Sequence, residues 1–322
     1  MPALWVTLAA GTVLAFGLYA LRLRKESLPP LLSLWGFLLG GALALIGAKA
    51  GYLALMGHKY GLERAISFSA DRFSVVCGGL ALCGGIVLTG RLVKPRVKGW
   101  TLLDAFAPCG ALILACLRAW EYGQGLLGAG STLSKTDFLA RIPFGIQNQN
   151  GKWRFAVCTL EAALALIIAV VFLMYRGKKR KLPGWVLEQT AVLLSLCQIF
   201  CESMRNVGMK WGAFVRVEQV LCAGIVAAFI LRGCLKSPRS IPGWKRFMPL
   251  TVTLLCVGVM VCMEFALDKG MLWMTNKVFH IPAELEVQTI PHNAEVCYGL
   301  MILCLMAMYW MHRLTLRRRE QA

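Results

Sequence analysis

The chain has 322 residues, of which 58% are hydrophobic and 16% charged, with a mean hydropathy of +0.63 and a net charge of +19. An average soluble domain is about 45–50% apolar and about 25% charged, whereas here the apolar surplus falls into blocks of about 20 residues, the length that crosses a ~30 Å hydrocarbon core. A cytosolic globular enzyme, a secreted disulfide module and a disordered chain are excluded, and the expectation is an all-α polytopic membrane protein with about nine transmembrane helices.

The first block, Ala3 to Leu21, has no positive charge ahead of it and Arg22, Arg24 and Lys25 behind it. That is the reverse of a signal peptide and predicts an outside N-terminus. The second block, Leu31 to Met56, carries Gly40, Gly41, Gly47 and Gly51, which lets neighbouring helices approach closely. A polar outer segment, His58 to Arg72, precedes the third block, Phe73 to Gly90, with Gly78-Gly79 and Gly84-Gly85. Arg91, Lys94, Arg96 and Lys98 then mark a cytoplasmic turn. The fourth block runs from about Thr101 to Arg118.

Ala119 to Arg154 is the longest non-hydrophobic stretch and is expected on the outer side as a functional loop. It holds Gly123, Gly125, Gly128 and Gly130, a Pro143-Phe144 segment and an Asn150-Gly151 turn signal. The fifth block is Phe155 to Tyr175, followed by the basic run Arg176 to Lys181, and the sixth runs from about Trp185 to Met204. The seventh is about Ala213 to Leu231, followed by Arg232, Lys236, Arg239, Lys245 and Arg246. The eighth is Leu250 to Leu267 and the ninth Ile290 to Met311, with Arg313, Arg317, Arg318 and Arg319 behind it. The five basic groups hold more than half of the 35 Lys and Arg, each beside an apolar block. That position assigns the charge to positive-inside sorting and anionic lipid, not nucleic acid, and predicts a cytoplasmic C-terminus.

Most of the thirteen cysteines lie within apolar blocks, among them Cys109, Cys116, Cys222, Cys256, Cys262 and Cys304, where Cys behaves as a small hydrophobe. No CxxC pair occurs, and His58, His280, His292 and His312 lack ligand spacing, so neither a metal, a haem nor any other cofactor is expected.

A charge in hydrocarbon costs from ~2.5 to more than ~10 kcal/mol, so chains keep one there only facing a cavity, a partner or the interface. This chain keeps Lys49, Asp104, Arg118, Glu121, Glu161, Glu188, Glu202, Arg205, Arg216, Glu218, Glu264 and Glu295. Asp104 and Arg118 lie about 21 Å apart along one helix, and Glu202 and Arg205 share a helical face. Arg grips a phosphodiester or carboxylate with a planar two-bond fork. Arg118, Arg205 and Arg216, with Glu121, Glu202 and Glu218, are candidates to line an outer cavity admitting a phospholipid headgroup. The plainer reading makes Glu202–Arg205 and Arg216–Glu218 ion pairs that fix packing. Glu264 and Glu295 are read as packing or interface residues.

Four stretches in order give this sequence a family resemblance. Leu38-Leu39-Gly40-Gly41 through Gly47-Ala48-Lys49 resembles a glycine-rich run ending in Gly-Ala-Arg, and Cys77-Gly78-Gly79-Leu80 resembles His-Gly-Gly-Leu. Asp104-Ala105-Phe106-Ala107-Pro108 with Arg118, Gly125 and Gly128 resembles Asp-x-x-x-Pro, Arg-x-Gly-Asn-Phe and a glycine-rich tail. Glu202-Ser203-Met204-Arg205 with the Gly212 to Gln219 stretch resembles Glu-Phe-x-Arg and a Gly-Gln helix start, and Leu160-Glu161-Ala162 echoes Tyr-Glu-Ala. Together these resemble prolipoprotein diacylglyceryl transferase, a bacterial membrane enzyme, over about residues 30 to 232.

The resemblance implies transfer of diacylglycerol from phosphatidylglycerol to the thiol of a lipobox cysteine, with a phosphate monoester leaving. It implies the bacterial cytoplasmic membrane as location, and phosphatidylglycerol and lipobox-containing prolipoproteins as partners. It divides the chain into a seven-helix domain, 1–232, and a C-terminal part, 233–322, with two added spans. Arg118 would hold the donor phosphate with help from Arg205 or Arg216, and Glu121 or Glu202 would orient the arginines or take the thiol proton. Gly78, Gly79, Gly125, Gly128, Gln198 and Arg216 would line the substrate. The sequence departs from the pattern where Cys77 replaces the motif His, Glu121 replaces Asn, and Gln198 stands where the family has Arg. Cys77 is then the substitute base or a small packed residue, and the alternative function is a catalytically altered member that binds phospholipid or precursor. A transporter is a third reading; the absence of an inverted repeat weighs against it.

Overall fold

The structure, a computed structural model, describes residues 2–60, 69, 72–93, 96–134, 138–141, 143–147, 151–175, 182–205, 209–211, 215–238, 240–269 and 293–320. The expected polar segment up to residue 71, the basic run 176–181 and the start of the ninth block at Ile290 lie largely outside them. The chain divides into two compact units, Met1–Met209 and Lys210–Ala322. This division falls one span earlier than the division at residue 232.

In the first unit the helices are α1 (Pro2–Lys25), α2 (Leu31–Trp35), α3 (Gly41–Tyr60), α4 (Val75–Leu92), α5 (Gly99–Glu121), α6 (Val157–Met174) and α7 (Trp185–Met204). A π-turn, Gly36–Gly40, joins α2 to α3 as one continuous apolar rod. Small residues decide how α3 and α4 meet. A Cβ on Gly85 would lie 2.6 Å from the Gly40 Cα, and one on Gly78 3.0 Å from the Ala48 Cβ. Gly47 meets Ala81 in the same way, and a Cβ on Gly51 would lie 2.5 Å from the Cys77 sulfur. Lipid tails supply no hydrophobic drive between helices, so close backbone approach and dispersion hold this pair. Behind it, Phe16 and Tyr19 of α1 pack on Phe106 of α5 with ring centroids 5.6 and 5.4 Å apart.

Among the described residues, nine long helical segments stand where nine spans are expected, and eight are long and apolar enough to cross a membrane. The ninth, α7, carries Glu188, Gln189, Gln198 and Glu202, and none of its residues is exposed. A polar helix is tolerated in a membrane when protein surrounds it. The outward faces are apolar instead: Val13, Leu45, Ile167, Leu255 and Met306 are all more than half exposed, as a lipid-facing surface requires.

Two details differ from expectation. Helices run past the apolar blocks, α1 to Lys25 and the last to Glu320, because long Lys and Arg stems snorkel to the interface without ending the helix. The stretch 119–154 is not wholly loop. α5 continues to Glu121, a tight helical turn covers Tyr122–Gly128, and a three-stranded antiparallel sheet follows. Its strands are β1 (Ala129–Thr132), β2 (Gly145–Gln147) and β3 (Trp153–Ala156), in the order β1-β3-β2. The fold is therefore predominantly helical, with two small sheets among the described residues.

In the second unit, the strand pair β4 (Lys210–Trp211) and β5 (Val215–Arg216) leads into three mutually packed helices. These are α8 (Val217–Leu235), α9 (Gly243–Lys269) and α10 (Asn293–Glu320). The eighth expected block thus begins earlier, at Gly243, and α9 accommodates Pro249. Gln219 of α8 donates to Glu264 of α9 at 2.7 Å, while Glu295 is exposed in the first turn of α10. Arg318 donates to the Lys245 carbonyl at 2.9 Å, tying the end of α10 to the start of α9.

Candidate functional site

The site begins with how α5 and α7 are pinned together. At the start of α7, the Asp104 carboxylate accepts from the backbone amides of Gly184 at 2.8 Å and Leu187 at 2.9 Å. Asp104 therefore caps α7 from a neighbouring helix, supplying acceptors that the first turn lacks. Gly184 adopts φ 83°, ψ 10°, and a Cβ there would lie 2.7 Å from the Trp100 ring, so glycine is required twice over. At the other end, Arg118 donates to Gln198 at 3.1 Å. The Asp104–Gly184 and Arg118–Gln198 pairs are both 80 residues apart, so α5 and α7 run parallel in one register.

α6 returns antiparallel between these two helices in sequence and brings Glu161 to the same level. Arg118 Nε donates to Glu161 Oε1 at 2.6 Å, and its Nη1 to Glu121 Oε1. Arg205, the C-terminal cap residue of α7, donates through Nη2 to Glu121 Oε2 at 2.9 Å and Glu161 Oε2 at 2.6 Å. Its Nε lies 3.4 Å from Glu202 Oε1, and Gln198 Nε2 donates to that same oxygen at 3.0 Å. Arg118, Glu121, Glu161, Gln198, Glu202 and Arg205 are each no more than 5% exposed. Two guanidiniums are thus joined by two carboxylates, each giving one oxygen to either arginine. Helix polarity supports the arrangement. The arginines sit at the C-terminal ends of α5 and α7, and Glu161 sits near the N-terminal end of α6.

Glycines fit the sheet onto this end of the helices. A Cβ on Gly128 would meet the Cys158 sulfur at 2.5 Å, and one on Gly130 would meet the Met204 carbonyl at 2.7 Å. Gly125 takes φ 66°, ψ −111°, a conformation reserved for glycine, with open space where a Cβ would stand. Tyr122 donates to the Gly145 carbonyl at 3.0 Å, tying the turn to β2.

The remaining expected site residues are distributed as follows. Cys77 lies against Gly51, with its amide donating to the capping Ser74 hydroxyl at 3.2 Å. Gly78 is buried against Ala44 and Ala48 of α3, and Gly79 is exposed. Arg216 and Glu218 are buried in the second unit, at the N-terminal cap and first turn of α8.

Sequence reasoning missed the centrality of Glu161, which bridges both arginines. The signal was available: an acid in the second turn of an otherwise apolar span needs a cationic partner. It also missed that Asp104 is a helix cap and that Gln198 spaces Arg118 from Glu202. Chemically, a pair of guanidiniums spanned by two-oxygen anions is a fork for carboxylate or phosphodiester.

No curated protein and no solved structure shows significant similarity to the chain. The family model described as prolipoprotein diacylglyceryl transferase matches residues 5–233, a range that contains Asp104, Arg118, Glu121, Glu161, Gln198, Glu202 and Arg205. With more than half of its length matched, this multi-pass membrane chain belongs to the prolipoprotein diacylglyceryl transferase family.

Proposed function

We propose that the chain transfers diacylglycerol from phosphatidylglycerol to the lipobox cysteine of a prolipoprotein, at the extracytoplasmic end of α5 and α7 in a bacterial cytoplasmic membrane. The observation that carries this reading is the pairing of Arg118 with Arg205 through shared carboxylates, inside the segment that matches the family. In the reaction the thiolate sulfur bonds to the glyceryl carbon as the carbon–oxygen bond to phosphate breaks, and glycerol phosphate departs. Charge builds on the leaving phosphate, and two fixed guanidiniums in a water-poor site stabilise it. Arg118 and Arg205 hold that phosphate. Glu161 keeps them oriented, and Glu202, outside the two-carboxylate bridge, takes the thiol proton. Replacing Arg118 with Ala is expected to abolish lipidation of a lipobox peptide by labelled phosphatidylglycerol in proteoliposomes. Unchanged transfer would remove Arg118 from the chemistry.

A second reading has its own support: a member that binds phospholipid or precursor without the family's chemistry. Cys77, in place of the motif His, is engaged in helix packing against Gly51, and Glu121 ties up both arginines. Complementation of a transferase-depleted strain separates the two, since a binder does not rescue growth.

A further inference from the structure

The fork formed by Arg118 and Arg205 is filled by residues of the chain itself. Glu121 places Oε1 on Arg118 Nη1 and Oε2 2.9 Å from Arg205 Nη2, spanning the guanidiniums as two phosphodiester oxygens would. Glu161 makes the same span from α6, at 2.6 Å to each arginine.

The two bridging carboxylates differ in how firmly the backbone holds them. Glu161 lies inside α6, near its N-terminal end, where the helix dipole favours an anion. Glu121 is the last residue of α5, where the dipole disfavours an anion. The turn that follows contains Gly125, at φ 66° and ψ −111°, with nothing within 4 Å of where its Cβ would lie. A side chain at a helix end beside such a turn withdraws without unwinding a span, so Glu121 is the displaceable one.

We propose that Glu121 is a built-in competitor of the donor headgroup: it fills the Arg118–Arg205 fork at rest, and an anionic phosphodiester enters by displacing it. The proposal rests on assigning the fork to the donor phosphate, and it makes Glu121 a determinant of donor affinity. Two anions within ~5 Å in a poorly solvated site repel strongly, so removing the carboxylate charge while keeping its shape strengthens phosphodiester binding by about ten-fold or more.

The test measures retention of phosphatidylglycerol by the purified, delipidated full chain in neutral detergent, by native mass spectrometry over a range of added lipid. Diacylglycerol, which lacks the phosphate, serves as the control. Glu121→Gln is expected to bind phosphatidylglycerol about ten-fold tighter than the unmodified protein, with diacylglycerol unchanged. Glu121→Asp keeps the charge on a stem too short to span both arginines and is expected to fall between. Equal or weaker phosphatidylglycerol binding by a folded Glu121→Gln protein overturns the proposal. Should that variant fail to fold, equal or weaker binding by Glu121→Asp does so. Lipidation of a lipobox peptide in the same preparations separates the two readings. Tighter binding without transfer by any form upholds the competitor and rejects the transferase, whereas transfer with unimproved Glu121→Gln binding does the opposite.

Discussion

Replacing Asp104 with Asn isolates the link between the pinning of α7 and the arginine cluster. The carboxylate gives one oxygen to the Gly184 amide at 2.8 Å and the other to the Leu187 amide at 2.9 Å. A hydrogen bond to a charged group contributes ~1.5–3 kcal/mol net. Asn retains one carbonyl acceptor, loses the charge on it, and turns an amino donor toward the second amide, which is also a donor. The cost is therefore about 2–4 kcal/mol, one bond lost outright and one weakened. The cluster lies about 21 Å further along α5, at ~1.5 Å per residue. A loosened α7 start misplaces Gln198, Glu202 and Arg205 together, so lipidation activity falls with stability. Thermal unfolding of detergent-solubilised protein, followed by tryptophan fluorescence, should show the melting temperature lowered by several degrees. A variant that melts within a degree of the parent would refute the assignment of Asp104 as the cap of α7.

Two further substitutions test how closely backbones meet. Gly184→Ala places a Cβ against the Trp100 ring in a left-handed conformation, at a cost of about 1–3 kcal/mol, read as a lower melting temperature. Gly51→Ala drives a methyl group into both the Cβ and the sulfur of Cys77 and should cost about 1–3 kcal/mol, whereas adding Cys77→Gly should recover part of that loss. Additive destabilisation in the double variant would show that Cys77 is not the neighbour that matters.

Span positions are legible in the sequence because hydrocarbon imposes a length and a composition on every helix that crosses it. α7 remains legible despite its two Glu and two Gln, since Trp185 to Met204 still contains enough apolar positions. Its enclosure is a tertiary fact that no window of sequence displays. The sheet over residues 129–156 escapes because β1 and β3 have four residues each and β2 three, too short for an alternating pattern to register. The convergence of Arg118 and Arg205 is foreseeable from the cost of burying each, but their sharing of Glu121 and Glu161 is not. Which carboxylate meets which guanidinium depends on the axial register of three helices. The Asp104–Gly184 and Arg118–Gln198 contacts disclose that register for α5 and α7, and the Glu161 contacts disclose it for α6.

The common 80-residue offset at both ends of α5 and α7 also constrains chain length. One residue inserted between Asp104 and Arg118 would turn everything beyond it by about 100° and advance it ~1.5 Å. Arg118 and Glu121 would then turn together, away from Glu161 and Gln198 on the neighbouring helices. A matching insertion between Gly184 and Gln198 would restore the axial level but turn Gln198 through the same angle about its own axis, so the two side chains would still not meet. Each segment is therefore held to its own length, and a relative with a one-residue indel in either would have to build its anion fork from different residues.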